Sequence, residues 1–91
     1  MQELENARKI IDDADKEIAR LFSERMKAVK EIAQYKQKMG LPVFDAKREA
    51  QVIEKNAALI DSPELSSYFV SFLHHMMDIS KEYQSALLEG M

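Results

Sequence analysis

Apolar residues in the N-terminal stretch recur in alternating three- and four-residue steps, at Leu4, Ala7, Ile11, Ala14, Ile18 and Leu21, then at Ala28, Ile32, Tyr35 and Met39. Sustained over about five heptads, that spacing predicts one long amphipathic helix over about residues 4–39. The series skips a single slot, and that slot holds Arg25. Gly40-Leu41-Pro42 ends the pattern, and Asp61-Ser62-Pro63 interrupts the chain again. Between them a second helix is expected over about residues 45–60, with Asp45 as its N-cap. A third, over about residues 63–88, opens with Ser62 as N-cap, Pro63 at the first helical position and Glu64 beside the positive helix end. Its apolar face follows Leu65, Phe69, Phe72 or Leu73, Met76 and Met77, Tyr83 and Leu87, and Gly90 marks the expected stop. The prediction is an all-α fold of three helices, with residues 1–91 forming one domain and no repeat or linker.

The length of the first helix changes the picture. About 36 residues at ~1.5 Å each span ~54 Å. A compact monomer of this chain length has a radius of gyration near ~12 Å and a diameter of only ~30 Å. An apolar stripe running nearly the whole helix would lie bare in such a monomer, and a second copy of the chain is the simplest cover. An intertwined helical homodimer is expected.

Composition narrows the function classes. With 46% hydrophobic and 32% charged residues, only two Gly and two Pro, and no Cys, the chain suits a few long helices and excludes disulfides, thiolate metal sites and a Cys nucleophile. No apolar run approaches the ~20 residues of a membrane span, and no signal-peptide core is visible, so no membrane role and a cytoplasmic address are expected. A net charge of −3 argues against a nucleic-acid partner. An anionic ligand must be attracted by local cations. No phosphate loop or hydrolase motif occurs, and the adjacent His74 and His75 face different directions, so neither a metal nor any other cofactor is expected.

The candidate chemistry lies in polar residues on apolar faces. Arg25 and Lys36 are eleven positions apart, which leaves them ~20° apart around a helix, with Val29 and Ile32 between them. Two such cations are costly to bury without an anion; they either reach out to water, pair with a carboxylate of another helix, or hold an anionic ligand. Ser80 and Gln84 continue the apolar line of the third helix and point inward, where a small gap or a backbone carbonyl would also explain them. Asp45-Ala-Lys-Arg48-Glu49 opens the second helix as an ordinary cap and first turn, except that Arg48 near a positive helix end invites an anion. Together these groups suit a small carboxylate-bearing molecule.

The run Arg8-x-x-Ile11-Asp12-x-x-Asp15, then Leu21-x-x-x-Arg25 and Lys36, resembles the first helix of the all-α chorismate mutase family. Pro42-Val43-x-Asp45-x-x-Arg48-Glu49 is similar to that family's entry to helix two, and Ser80-x-x-x-Gln84 to its helix-three signature. Phe22-Ser23 stands where an aliphatic pair is more usual, and the connection between helices two and three is short. The resemblance implies the [3,3] rearrangement of chorismate to prephenate, which needs no nucleophile, metal or proton transfer. It also implies roles. Arg25 holds a substrate carboxylate, assisted by Arg8 of the other subunit. Lys36 donates to the ether oxygen and a carboxylate, and Gln84 to the same oxygen from the opposite side. Glu49 accepts from the ring hydroxyl. Arg48, Asp45 and Ser80 shape the carboxylate and hydroxyl surroundings, and Ile32 and Met77 form apolar walls. Because Gln84 is a neutral amide, activity without a need for acid pH is expected. Arg8 and Arg25 lie ~25 Å apart along one helix, so only a dimer lets both serve one small ligand.

Two other readings compete. Isochorismate pyruvate-lyase activity occurs on the same fold, and Glu49, suited to the chorismate hydroxyl, favours the mutase. A non-catalytic helical dimerisation module explains the heptads but leaves Arg25, Lys36 and Gln84 unexplained. A free-standing enzyme with no separate regulatory domain is expected.

Overall fold

A computed structural model describes residues 1–90 of the chain. It contains three helices, α1 Gln2–Met39, α2 Ala46–Ala57 and α3 Pro63–Gly90, and no strand among the described residues. The all-α prediction holds. No helix among the described residues is long and apolar enough to cross a membrane.

Local chemistry sets the ends. At the C-terminus of α1, Gly40 adopts φ 68°, and its N–H and that of Leu41 close back onto Gln37 and Lys36 carbonyls at 3.3 and 2.8 Å. That left-handed cap is strained for any residue with a Cβ and free for glycine. Asp45 caps α2 as expected, its Oδ1 accepting from the Arg48 N–H at 3.0 Å. α2 stops at Ala57 rather than about residue 60. There the Leu59 and Ile60 N–H groups bond to Asn56 and Ala57, three residues back, tightening the chain into a turn. Pro63 biases Ser62 away from helix, which keeps α2 and α3 separate. α1 starts about two residues before its expected limit and α3 ends about two residues after its own, while the end of α1 and the start of α3 fall where expected.

α3 is the middle element. It packs against α1 on one side and α2 on the other, while α1 and α2 make no close approach among the described residues. The core is small: Val29 and Ala33 of α1 with Leu73 and Met77 of α3. Of the alternatives Phe72 and Leu73, Leu73 is the buried one at 1% exposure, and Phe72 stays half exposed. Ser80 and Gln84 are buried polar residues on the same face of α3 as Leu73 and Met77, as their spacing predicts.

The single chain is far from compact. Its extents are 55 × 27 × 14 Å and its radius of gyration is 16.5 Å, against ~12 Å for a compact chain of this length. Leu4, Ile11, Ile18 and Leu21, the first half of the α1 stripe, are all about half exposed or more. Accessible surface is 7348 Å², where a folded monomer of this mass presents about 5,400 Å².

Candidate active site

α1 and α2 straddle α3, so a cleft of about 150 Å³ opens between them with α3 as its floor. Each helix lines it with one face. α1 supplies Arg25, Val29, Ile32 and Lys36; α2 and its cap supply Asp45, Arg48, Glu49 and Val52; α3 supplies Met77, Ser80, Lys81 and Gln84. Val43, in the connection after α1, completes the wall. In every set the spacing returns each residue to the same side of its helix.

Nine of the ten residues singled out from sequence thus line one cleft. Arg8 does not. It sits on the exposed N-terminal part of α1, ~25 Å along the helix from Arg25. Val29, Val43, Val52 and Lys81 were not foreseen as site residues. Lys81 carries a signal that could have revealed it: Met77, Ser80, Lys81 and Gln84 form an i, i+3, i+4, i+7 set.

Arg25, Lys36 and Lys81 are held in place. Arg25 Nη1 donates to Ser80 Oγ, whose own hydroxyl donates to the Met76 carbonyl at 2.9 Å. Ser80 therefore orients Arg25, a role that its spacing alone did not reveal. Lys36, at the negative end of α1, donates to the Val43 carbonyl at 2.8 Å and retains two further N–H groups. Glu49 Oε2 pairs with Lys81 Nζ at 3.0 Å.

Two features mark the cleft as a place for an anion. Its walls carry Arg25, Lys36, Arg48 and Lys81 against Asp45 and Glu49, a local balance of two positive charges in a chain of net charge −3. Burial, and then the charge of Arg48, hold the Arg25 guanidinium below its ordinary pKa. Arginine remains protonated regardless, so two like charges face one cleft until an anion relieves them. Gln84 adds unspent polarity, because its Oε1 is buried with no hydrogen-bond partner among the described residues. Rotation of the terminal amide can present either its oxygen or its NH₂ to the cleft.

The other candidates lie elsewhere. His75 Nδ1 donates to the Ser71 carbonyl at 2.8 Å, an i, i−4 bond within α3. Its ring lines a separate apolar groove with Ile18, Leu21, Phe22, Met26 and Met76.

A three-helix protein whose cleft gathers four cations, two carboxylates, a hydroxyl and a buried amide offers charge and hydrogen bonds to a small anionic ligand. Residues 7–85 match the chorismate mutase type II family, and the chain belongs to that family. It is 27% identical over 88 residues to the chorismate mutase of Methanocaldococcus jannaschii, covering 91% of this chain and 89% of that one. It is 46% identical over 55 residues to the bifunctional chorismate mutase/prephenate dehydratase of Aquifex aeolicus, covering 60% of this chain and 15% of that protein. The T-protein of Haemophilus influenzae is 32% identical over 54 residues, 59% of this chain and 14% of that one. The chain thus spans about a seventh of the two larger relatives and most of the smaller one.

Proposed function

We propose that the chain converts chorismate to prephenate as a homodimer, each cleft completed by the partner subunit's Arg8. The observation that carries the reading is the gathering of Arg25, Lys36, Arg48 and Gln84 around one small cleft. In the rearrangement the ether C–O bond breaks as a C–C bond forms within the same molecule, with no proton gained or lost. Negative charge grows on the ether oxygen. Lys36 and Gln84 donate to it from α1 and α3. Arg25 and Arg48 take the two carboxylates, and Glu49 accepts from the ring hydroxyl. Met77 and Ile32 press the ring into its folded, reactive shape.

The dimer is supported by area. The excess of accessible surface over a compact monomer is roughly 1,900 Å² per chain, which falls in the range obligate dimers bury. The bare stripe of Leu4, Ile11, Ile18 and Leu21 is where that surface lies.

Purified protein is expected to deplete chorismate absorbance and yield prephenate. A folded protein that leaves chorismate untouched but cleaves isochorismate would replace this reading with the lyase, and inactivity on both substrates would leave a dimerisation module.

A second expectation concerns pH. Gln84 donates without titrating, so wild-type kcat is expected to be flat from pH ~5 to ~8. Gln84→Glu donates only when protonated. Its rate is expected to rise as pH falls toward the ordinary glutamate value of ~4.3. A pH profile of the variant matching that of the wild type would remove Gln84 from the ether oxygen.

A further inference from the structure

Lys81 stands on the cleft wall, and none of the roles above uses it. It occupies the edge of the α3 face that carries Met77, Ser80 and Gln84. Its ammonium reaches Glu49 Oε2 of α2 at 3.0 Å and Asp78 Oδ1 at 3.4 Å. It also lies 4.9 Å from the ring centre of Phe44, in the connection between α1 and α2. Phe44 is itself 56% exposed, so the contact with Lys81 ties an otherwise open segment to α3. The side chains of Lys81 and Glu49 are only 29% and 25% exposed.

Any one of these contacts is weak where water reaches it. Three on one ammonium fix where it stands. The consequence falls on Glu49. One carboxylate oxygen is spent on Lys81, and the other is left to accept from a ligand hydroxyl. Without Lys81, the Glu49 charge would face an anionic ligand without its ion-pair partner, and the side chain would be free to turn.

We propose that Lys81 is a positioning residue acting through Glu49: it holds that carboxylate on the cleft wall and cancels its charge toward a dianionic, hydroxyl-bearing ligand. This rests on the reaction proposed above. Consistent with it, the Lys81 pKa lies above the ordinary lysine value, first through its hydrogen bond to Glu49, against which desolvation pulls only partly. The stabilisation that goes with a raised lysine pKa is fully present below ~10.4 and is lost as pH climbs past the folded-state value. The pair is therefore intact throughout the neutral range.

A double-mutant cycle of Lys81→Met and Glu49→Gln tests the coupling. Lys81→Met alone is expected to raise KM for chorismate about tenfold with kcat little changed, since ligand and transition state lose the same contact. In the Glu49→Gln background, Lys81→Met is expected to change kcat/KM by less than about twofold. Lys81→Arg, which keeps the charge, is expected to restore most of the loss. Equal losses in both backgrounds, or no loss in either, would overturn the proposal. A second readout does not depend on turnover. With lysine labelled at Cε, the Lys81 resonance is expected to titrate above the ordinary lysine value, and to lose most of that offset in Glu49→Gln, Asp78 keeping the remainder. If wild-type protein leaves chorismate unchanged, the reaction reading fails. The NMR titration still decides Lys81, because a resonance indifferent to Glu49→Gln means that it does not hold that carboxylate.

Discussion

Lys36→Ala is expected to lower kcat for chorismate by about 10²–10³-fold, the usual cost of removing one donor from a developing oxyanion. The structure explains why so much rests on one ammonium. Lys36 is half-buried beside Val43 and Ile32, and its bond to the Val43 carbonyl fixes it before any ligand arrives. A donor already in place costs no reorganisation as the ether bond breaks. The ammonium sits at the negative end of α1, so its charge is favoured by the helix itself. The change should therefore appear in kcat more than in KM, because the ether oxygen asks most of this donor in the transition state. Lys36→Arg is not expected to rescue, since a planar guanidinium on a longer stem cannot place a single point charge at the same spot. Steady-state kinetics with far-ultraviolet circular dichroism on each variant makes the comparison. A folded Lys36→Ala protein with near wild-type kcat would take Lys36 out of the chemistry.

Mixing two inactive variants is expected to restore activity. Arg8→Ala and Lys36→Ala chains, each made alone, should turn over chorismate poorly. In a mixed dimer one cleft keeps its own Lys36 and receives the intact Arg8 of the partner subunit, while the other cleft collects both lesions. Random pairing of equal amounts makes half the dimers mixed, each with one sound cleft, so about a quarter of wild-type sites return. The expectation follows from the position of Arg8. It lies ~25 Å along α1 from Arg25, outside the cleft of its own chain, on the half of the helix whose apolar face is bare. Co-expression with two different tags isolates the mixed dimer for assay. If the mixed species is as inactive as its parents, each cleft works with residues of one chain; an Arg8→Ala chain that is active alone means that Arg8 serves no cleft.

The main features of both fold and cleft were legible in the chain, for a reason that can be stated. Helical periodicity fixes the azimuth of every side chain on its own helix, so Arg25 with Lys36, and Ser80 with Gln84, could be placed on common faces from spacing alone. Capping chemistry likewise marked Asp45, and the Gly40-Leu41-Pro42 break marked the end of α1, because each meets a local backbone need that few residue types can satisfy. Lys81 shares the face of Met77, Ser80 and Gln84, but a lysine beside Asp78 and Glu82 reads as solvated surface, and its spacing does not say that a carboxylate and an aromatic ring wait across a gap.

What periodicity leaves open is the rotation and axial shift of one helix against another. Those are set by packing across the Val29, Ala33, Leu73 and Met77 core and by the two short connections. The chain alone thus determined three helices, their polar faces and a stripe too long for one subunit to cover. Tertiary structure alone decided that α3 lies between α1 and α2, that Ser80 steadies Arg25, and that Lys81 reaches Glu49. Contacts between residues 55 and 32 positions apart depend on how whole helices dock, which no local pattern encodes.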